Sequence, residues 1–130
     1  MLTFIYFLEM IMTLTAMDLV AQAKQNIVEI DIDAAKSSLE TSLILDVRET
    51  AEYAAGHLPV AFNIPRGVLE FKIGSHPDFQ DKQDAHIIVY CQSGGRSALV
   101  AEVLNKMGYN NAVSMAGGFK AWADSGNEVV

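Results

Sequence analysis

His86-Ile87-Ile88-Val89-Tyr90-Cys91-Gln92-Ser93-Gly94-Gly95-Arg96-Ser97 is the stretch whose reading decides the fold. Residues 86–90 (HIIVY) form a short apolar run, the mark of a strand buried on both faces. The run leads directly into Cys91. Gly94 and Gly95 lack Cβ atoms, so the chain can curl tightly there. From Ser97 to Met107 the apolar residues Val100, Val103, Leu104 and Met107 fall on one helical face. Buried strand, glycine loop and amphipathic helix in direct succession form the repeating unit of a parallel sheet.

The same alternation continues in both directions. Downstream, Gly108 suits a helix C-cap, Ala112–Met115 reads as a strand, Gly117-Gly118 as a turn, and residues 119–123 as a closing helix. Phe119 and Trp122 on that helix are expected to pack on the sheet. Upstream, Asp18 is a candidate cap for a helix reaching Lys24, and residues 27–30 (IVEI) form a strand candidate. Asp31 can cap a helix with Ile32, Ala35 and Leu39 on one face. Residues 43–47 (LILDV) are a second buried strand, and 49–55 a helix stopped by Gly56. Residues 61–64 form a strand ended by Pro65, and 67–73 one or two helical turns. The expectation is an α/β fold, a mostly parallel sheet with helices on both faces. No internal repeat, low-complexity tract or linker interrupts it.

A chain of 130 residues, 51% apolar and 19% charged, suits one globular domain with its own core. The net charge of −7, with nine scattered basic residues, argues against nucleic acid or an anionic membrane as partner. One cysteine rules out an intramolecular disulfide. Cys91 with His57, His76 and His86 lacks any paired ligand spacing, so no metal is expected. Residues 1–16 (MLTFIYFLEMIMTLTA) are strongly apolar, and Asp18 ends the run short of the about 20 residues a membrane span needs. No basic residue precedes them as a secretory signal would require. An extra helix on the domain, a start at Met17 and an atypical export signal all stay open for this extension. Residues 17–130 are expected to form the domain, with a cytoplasmic location unless residues 1–16 direct export.

The chemistry centres on Cys91. A glycine loop entering a helix can turn its N–H groups inward. The first N–H groups of the helix lack intrahelical partners, and the helix dipole adds positive charge there. Such a cradle stabilises a thiolate, whose ordinary pKa is about 8.5, and equally a persulfide anion. Sulfur relay needs both: attack of the thiolate on a donor's outer sulfur, then release to an acceptor. It requires no cofactor. Arg96 runs against the dipole preference for acids at a helix start, so a functional role is expected, either buttressing the loop or facing an anionic substrate. Arg66 and Lys72 could help draw in an anionic donor, but by default read as ordinary solvated charges.

Four segments together resemble the rhodanese family: LILDVRE at 43–49, GHLPVAFNIP at 56–65, IIVYCQSGGRS at 87–97 and MAGGFKAW at 115–122. They stand in the family's order and spacing, and the resemblance covers residues 18–126. It implies a three-layer fold with a five-stranded sheet. It also implies that Cys91 forms the persulfide and that Gln92, Ser93, Gly94, Gly95 and Arg96 form the active loop, with Ser97 beside it in the binding set. Asp46 and Arg48 match an Asp-x-Arg pair thought to support the loop, although Asp46 equally reads as an acid capping a strand end. His57 matches a Gly-His motif that is structural in the family. The implied activity is that of a thiosulfate sulfurtransferase, with a small sulfur donor and a thiol, sulfite or cyanide acceptor. A sulfur-carrier module serving a protein partner is the alternative. Related phosphatases of the Cdc25 type place one more residue between Cys and Arg than the four found here. No leaving-group acid is evident either, which makes phosphatase or arsenate reductase a poor second.

Overall fold

The computed structural model describes residues 13–130, so all but residues 13–16 of the apolar extension, and the roles considered for it, lie outside the described residues. The elements run α1 (Ala16–Lys24), β1 (Glu29–Ile30), α2 (Ile32–Ser37), β2 (Leu43–Asp46), α3 (Thr50–Ala55), β3 (Ala61–Asn63), α4 (Leu69–Lys72), β4 (Ile87–Tyr90), α5 (Gly95–Lys106), β5 (Ala112–Met115) and α6 (Gly118–Asp124). Three 3-10 turns occupy Leu39–Thr41, Arg66–Val68 and Ile73–Ser75. The strands form one sheet in the order β1-β5-β4-β2-β3, and every pairing is parallel. The expected three-layer α/β architecture with a five-stranded parallel sheet is the observed one.

Strand β4 occupies the middle of the sheet between β5 and β2, and its Ile87 to Tyr90 are all fully buried. The alternating side chains of β4 and its neighbours feed two cores, as the two-residue period of a strand demands. On one face Leu45, Ile87 and Val89 meet Val100 and Leu104 of α5 and Leu69 of α4. On the other, Ile44, Ile88, Val113 and Met115 meet Ala35 of α2, Leu58 and Trp122 of α6. Each buried Val, Leu, Ile or Met among them contributes about 1.5–3 kcal/mol through burial. Helix α1 lies against α5, with Val20 and Ala23 packed on Ala98.

Several local expectations need correction. Thr15 rather than Asp18 caps α1. The Thr15 hydroxyl accepts from the Asp18 N–H at 3.1 Å, and the Asp18 carboxylate accepts from the Thr15 N–H at 2.8 Å. Helix α2 ends at Ser37 and Leu39 stands in the 3-10 turn that follows, yet Leu39 still packs on the same core as Ile32 and Ala35. Helix α5 starts two residues earlier than Ser97, since Gly94 takes a left-handed φ of 110° and sets the helix off at Gly95. Asp31 does cap α2, accepting from the Ala34 N–H at 2.8 Å.

Candidate active site

Cys91 follows the last residue of β4, at the carboxyl edge of the sheet where ligand sites of parallel folds lie. Its Sγ accepts hydrogen bonds from the Gly94 N–H at 3.1 Å and the Ser97 N–H at 3.4 Å. The Ser93 amide also acts on the sulfur, and the Ser97 Oγ lies 3.5 Å away. The Ser97 N–H belongs to the first turn of α5, whose opening amides have no partners inside the helix. Cys91 is only 1% exposed. That burial pushes the thiol up, but the Ser97 hydroxyl and the Ser97, Gly94 and Ser93 amides outweigh it. The net effect holds the thiol below its ordinary value.

The loop keeps this shape because its carbonyls are anchored elsewhere. The Phe119 N–H donates to the Cys91 carbonyl at 2.8 Å and the Lys120 N–H to the Gln92 carbonyl at 3.1 Å. In a planar trans peptide the C=O and the following N–H point in opposite directions. Holding these two carbonyls against α6 therefore turns the Gln92 and Ser93 amides the other way, the Ser93 amide towards the sulfur. Close approach of α6 depends on Gly118. A Cβ there would stand 2.6 Å from both the Cys91 and Gln92 carbonyl oxygens, and its φ is +61°. Sequence reasoning treated Gly117-Gly118 as a plain turn and missed this role; the available signal was a glycine pair placed directly before a helix.

Arg48 and Asp46 are buried beside the loop rather than on the sulfur. Arg48 Nη2 donates to Asp46 Oδ2 at 2.8 Å and to the Gly56 carbonyl at 2.7 Å. Its Nη1 reaches Gln92 Oε1 at 3.4 Å, and its guanidinium lies 4.3 Å from the centre of the Phe119 ring. One side chain thus ties the end of β2, the end of α3, the loop and α6 together. Phe119 is half-buried: it packs against the core that holds Trp122, as expected, and also forms the platform for Arg48. Asn63 on β3 donates to the Asp46 and Arg48 carbonyls at 3.0 Å each.

Arg96 forms a two-pronged ion pair with Glu52 of α3, at 2.8 and 3.1 Å. This pair ties the start of α5 to α3, and the Arg96 side chain stays 36% exposed. Glu52 also accepts from the Glu49 N–H at 3.0 Å, fastening the start of α3. Its carboxyl is held down at about 2, chiefly by Arg96. Glu52 was not singled out in the sequence, where an acid in a helix's first turn looks ordinary. Gln92 is half-buried and Ser93 exposed on the loop's outer side, whereas Ser97 is fully buried behind the sulfur. Arg66 pairs with Glu70 on the surface. The His57 Nδ1 lies 3.0 Å from the Tyr53 carbonyl and its ring stacks on Tyr53.

A thiol that accepts from peptide N–H groups at the carboxyl edge of a parallel sheet has the surroundings a nucleophilic cysteine needs. A family model, the rhodanese-like domain, matches residues 31–125, and the chain belongs to that family. It is 31% identical over 105 residues to a protein of Allochromatium vinosum named sulfurtransferase, covering 78% of this chain and 94% of the relative. It is 36% identical over 113 residues to the Arabidopsis thaliana mitochondrial protein High Arsenic Content 1, covering 78% of this chain and 65% of that protein. Among solved structures, a Rhodopseudomonas palustris protein of unknown function, described as a possible tyrosine phosphatase, superposes with a TM-score of 0.80. That pair shares 31% identity over 92% of this chain and 96% of the other.

Among the described residues no helix is long and apolar enough to cross a membrane.

Proposed function

We propose that the protein moves a sulfane sulfur from a donor such as thiosulfate to a thiophilic acceptor through a persulfide on Cys91. The observation that carries this reading is the Cys91 sulfur held by the Gly94 and Ser97 N–H groups at 3.1 and 3.4 Å. The Cys91 thiolate attacks the outer sulfur of thiosulfate. A new S–S bond forms to Cys91, the donor's own S–S bond breaks, and sulfite leaves with the electron pair. The resulting Cys–S–S⁻ carries its charge beside the same amides. An acceptor thiolate or cyanide then attacks the outer sulfur, and the Cys91 thiolate departs. Each half-reaction is a two-electron exchange at sulfur, without net proton transfer when both nucleophiles are anions.

In this scheme Gln92, Ser93, Gly94 and Gly95 form the wall the donor meets, and Ser97 holds the sulfur from behind. Arg96, Asp46 and Arg48 keep the wall in place. Incubation with thiosulfate should add one sulfur atom to the protein, visible by mass spectrometry and removed by cyanide or dithiothreitol. Cys91→Ser should abolish the adduct while the fold persists; an adduct that survives the substitution refutes the assignment.

The names of the Arabidopsis and Rhodopseudomonas relatives favour a second reading, anion chemistry on phosphate or arsenate at the same cysteine. Four residues separate Cys91 from Arg96, a ring suited to one sulfur atom rather than a tetrahedral oxyanion. That reading requires hydrolysis of an aryl phosphate, with inhibition by vanadate.

A further inference from the structure

We propose that Ser114 on β5 is a positioning residue for the sulfur chemistry: its hydroxyl donates to Ser97 Oγ and so frees the Ser97 hydroxyl proton to point at the Cys91 sulfur. The inference rests on the reading of Cys91 as the sulfur-bearing residue. Ser114 is fully buried, and its side chain is among the few polar ones in the interior. Its Oγ lies 2.8 Å from Ser97 Oγ, its one hydrogen-bond partner among the described residues. A hydroxyl sealed among apolar neighbours needs that partner, since an unmet one is costly.

Ser97 Oγ stands at a junction of three groups. It lies 2.8 Å from Ser114 Oγ, 3.2 Å from the Gly94 carbonyl and 3.5 Å from Cys91 Sγ. The Ser97 hydroxyl has one proton to place. The carbonyl and a thiolate are both acceptors, so they compete for it. With a neutral thiol, Cys91 S–H can donate to Ser97 while Ser97 donates to the Gly94 carbonyl. With a thiolate, the Ser97 proton turns to sulfur, and the oxygen it leaves open accepts from Ser114. The Gly94 carbonyl is not orphaned by the turn, because the Ala98 N–H still donates to it at 3.2 Å. Hydrogen bonds in such a chain polarise and strengthen one another.

The sheet places the serine for this task. Ser114 pairs with Val89 across β4–β5, two residues before Cys91, and shares the sheet face of Ala112 beneath α5. Its neighbours Val113 and Met115 point to the opposite core. A polar residue in a strand buried on both faces was legible in the sequence and was not read.

The test is the pH dependence of Cys91 alkylation by iodoacetamide in four proteins: wild type, Ser114→Ala, Ser97→Ala and the double variant. Ser114→Ala should move the inflection up by about half to one pH unit, a three- to tenfold loss of rate below it. In the Ser97→Ala background the same change should move it no further, because the effect passes through Ser97. A residue that only fills space would change stability and leave the inflection in place. An unmoved inflection in Ser114→Ala, or an equal shift with and without Ser97, overturns the proposal. A wild-type inflection at the free-thiol value would remove the thiolate reading as well, whereas a low wild-type inflection that Ser114→Ala leaves in place removes this inference alone.

Discussion

Cys91 is under two opposed influences, and their balance decides what it can do. Burial at 1% exposure disfavours a charged sulfur, while three amides and a hydroxyl favour it. The position of Cys91 at a strand end before a glycine loop was readable, because strand, glycine pair and helix periodicity are local signals. The partners that hold the loop were not, because Glu52 and Phe119 reach it from remote parts of the chain. Gly118 makes the dependence measurable. Gly118→Ala must displace two loop carbonyls and adopt a left-handed φ, at a cost of about 2 kcal/mol or more. Thermal unfolding should show that loss, and alkylation of Cys91 should slow with it. A variant as stable and as reactive as wild type would deny α6 its role in shaping the loop. Arg96→Ala should slow sulfur transfer, since the α5 start loses its tie to α3; unchanged transfer kinetics would make Arg96 dispensable to the loop.

At the scale of elements, the site is held by ties between pieces distant in sequence. The buried Arg48–Asp46 pair joins β2, α3, the Cys91 loop and α6. Removing one member leaves the other charge uncompensated in the interior, so Arg48→Ala should cost about 3–5 kcal/mol in denaturant unfolding. A loss under about 1 kcal/mol would show that water or another group replaces the guanidinium. The Glu52–Arg96 tie is different, because its side chains are 34% and 36% exposed. The depressed Glu52 carboxyl contributes stability that is present above the unfolded value of 4.5 and is lost as pH falls through about 2. Solvent screening limits it, so Glu52→Gln should cost under about 1 kcal/mol at neutral pH. The difference from wild type should shrink as pH falls through about 2 and vanish below it; a difference of undiminished size there would mean that the charge is irrelevant. Element type was readable from hydrophobic period alone. Element ends were displaced where a cap or a left-handed glycine sets them, as at Thr15 and Gly94, since those depend on one side chain or one dihedral.

Across the whole molecule, a parallel sheet of order β1-β5-β4-β2-β3 brings the ends of β2 and β4 side by side. Asp46 and Cys91 therefore share one edge although they are far apart in sequence. Strand order does not follow from hydrophobic period, which reports only that a strand is buried. The resemblance of four segments to a known family supplied the strand count and the identity of the loop. It did not supply the ties that shape the cradle. The molecule carries a net charge of −7, so the anion-holding capacity at Cys91 is a local property of peptide dipoles acting against the overall field. Its most direct measurement is the ultraviolet absorbance of the thiolate as a function of pH, taken as wild type minus Cys91→Ser. The cradle requires one thiol titrating clearly below the ordinary value of about 8.5. A difference curve with its midpoint at or above that value would contradict it.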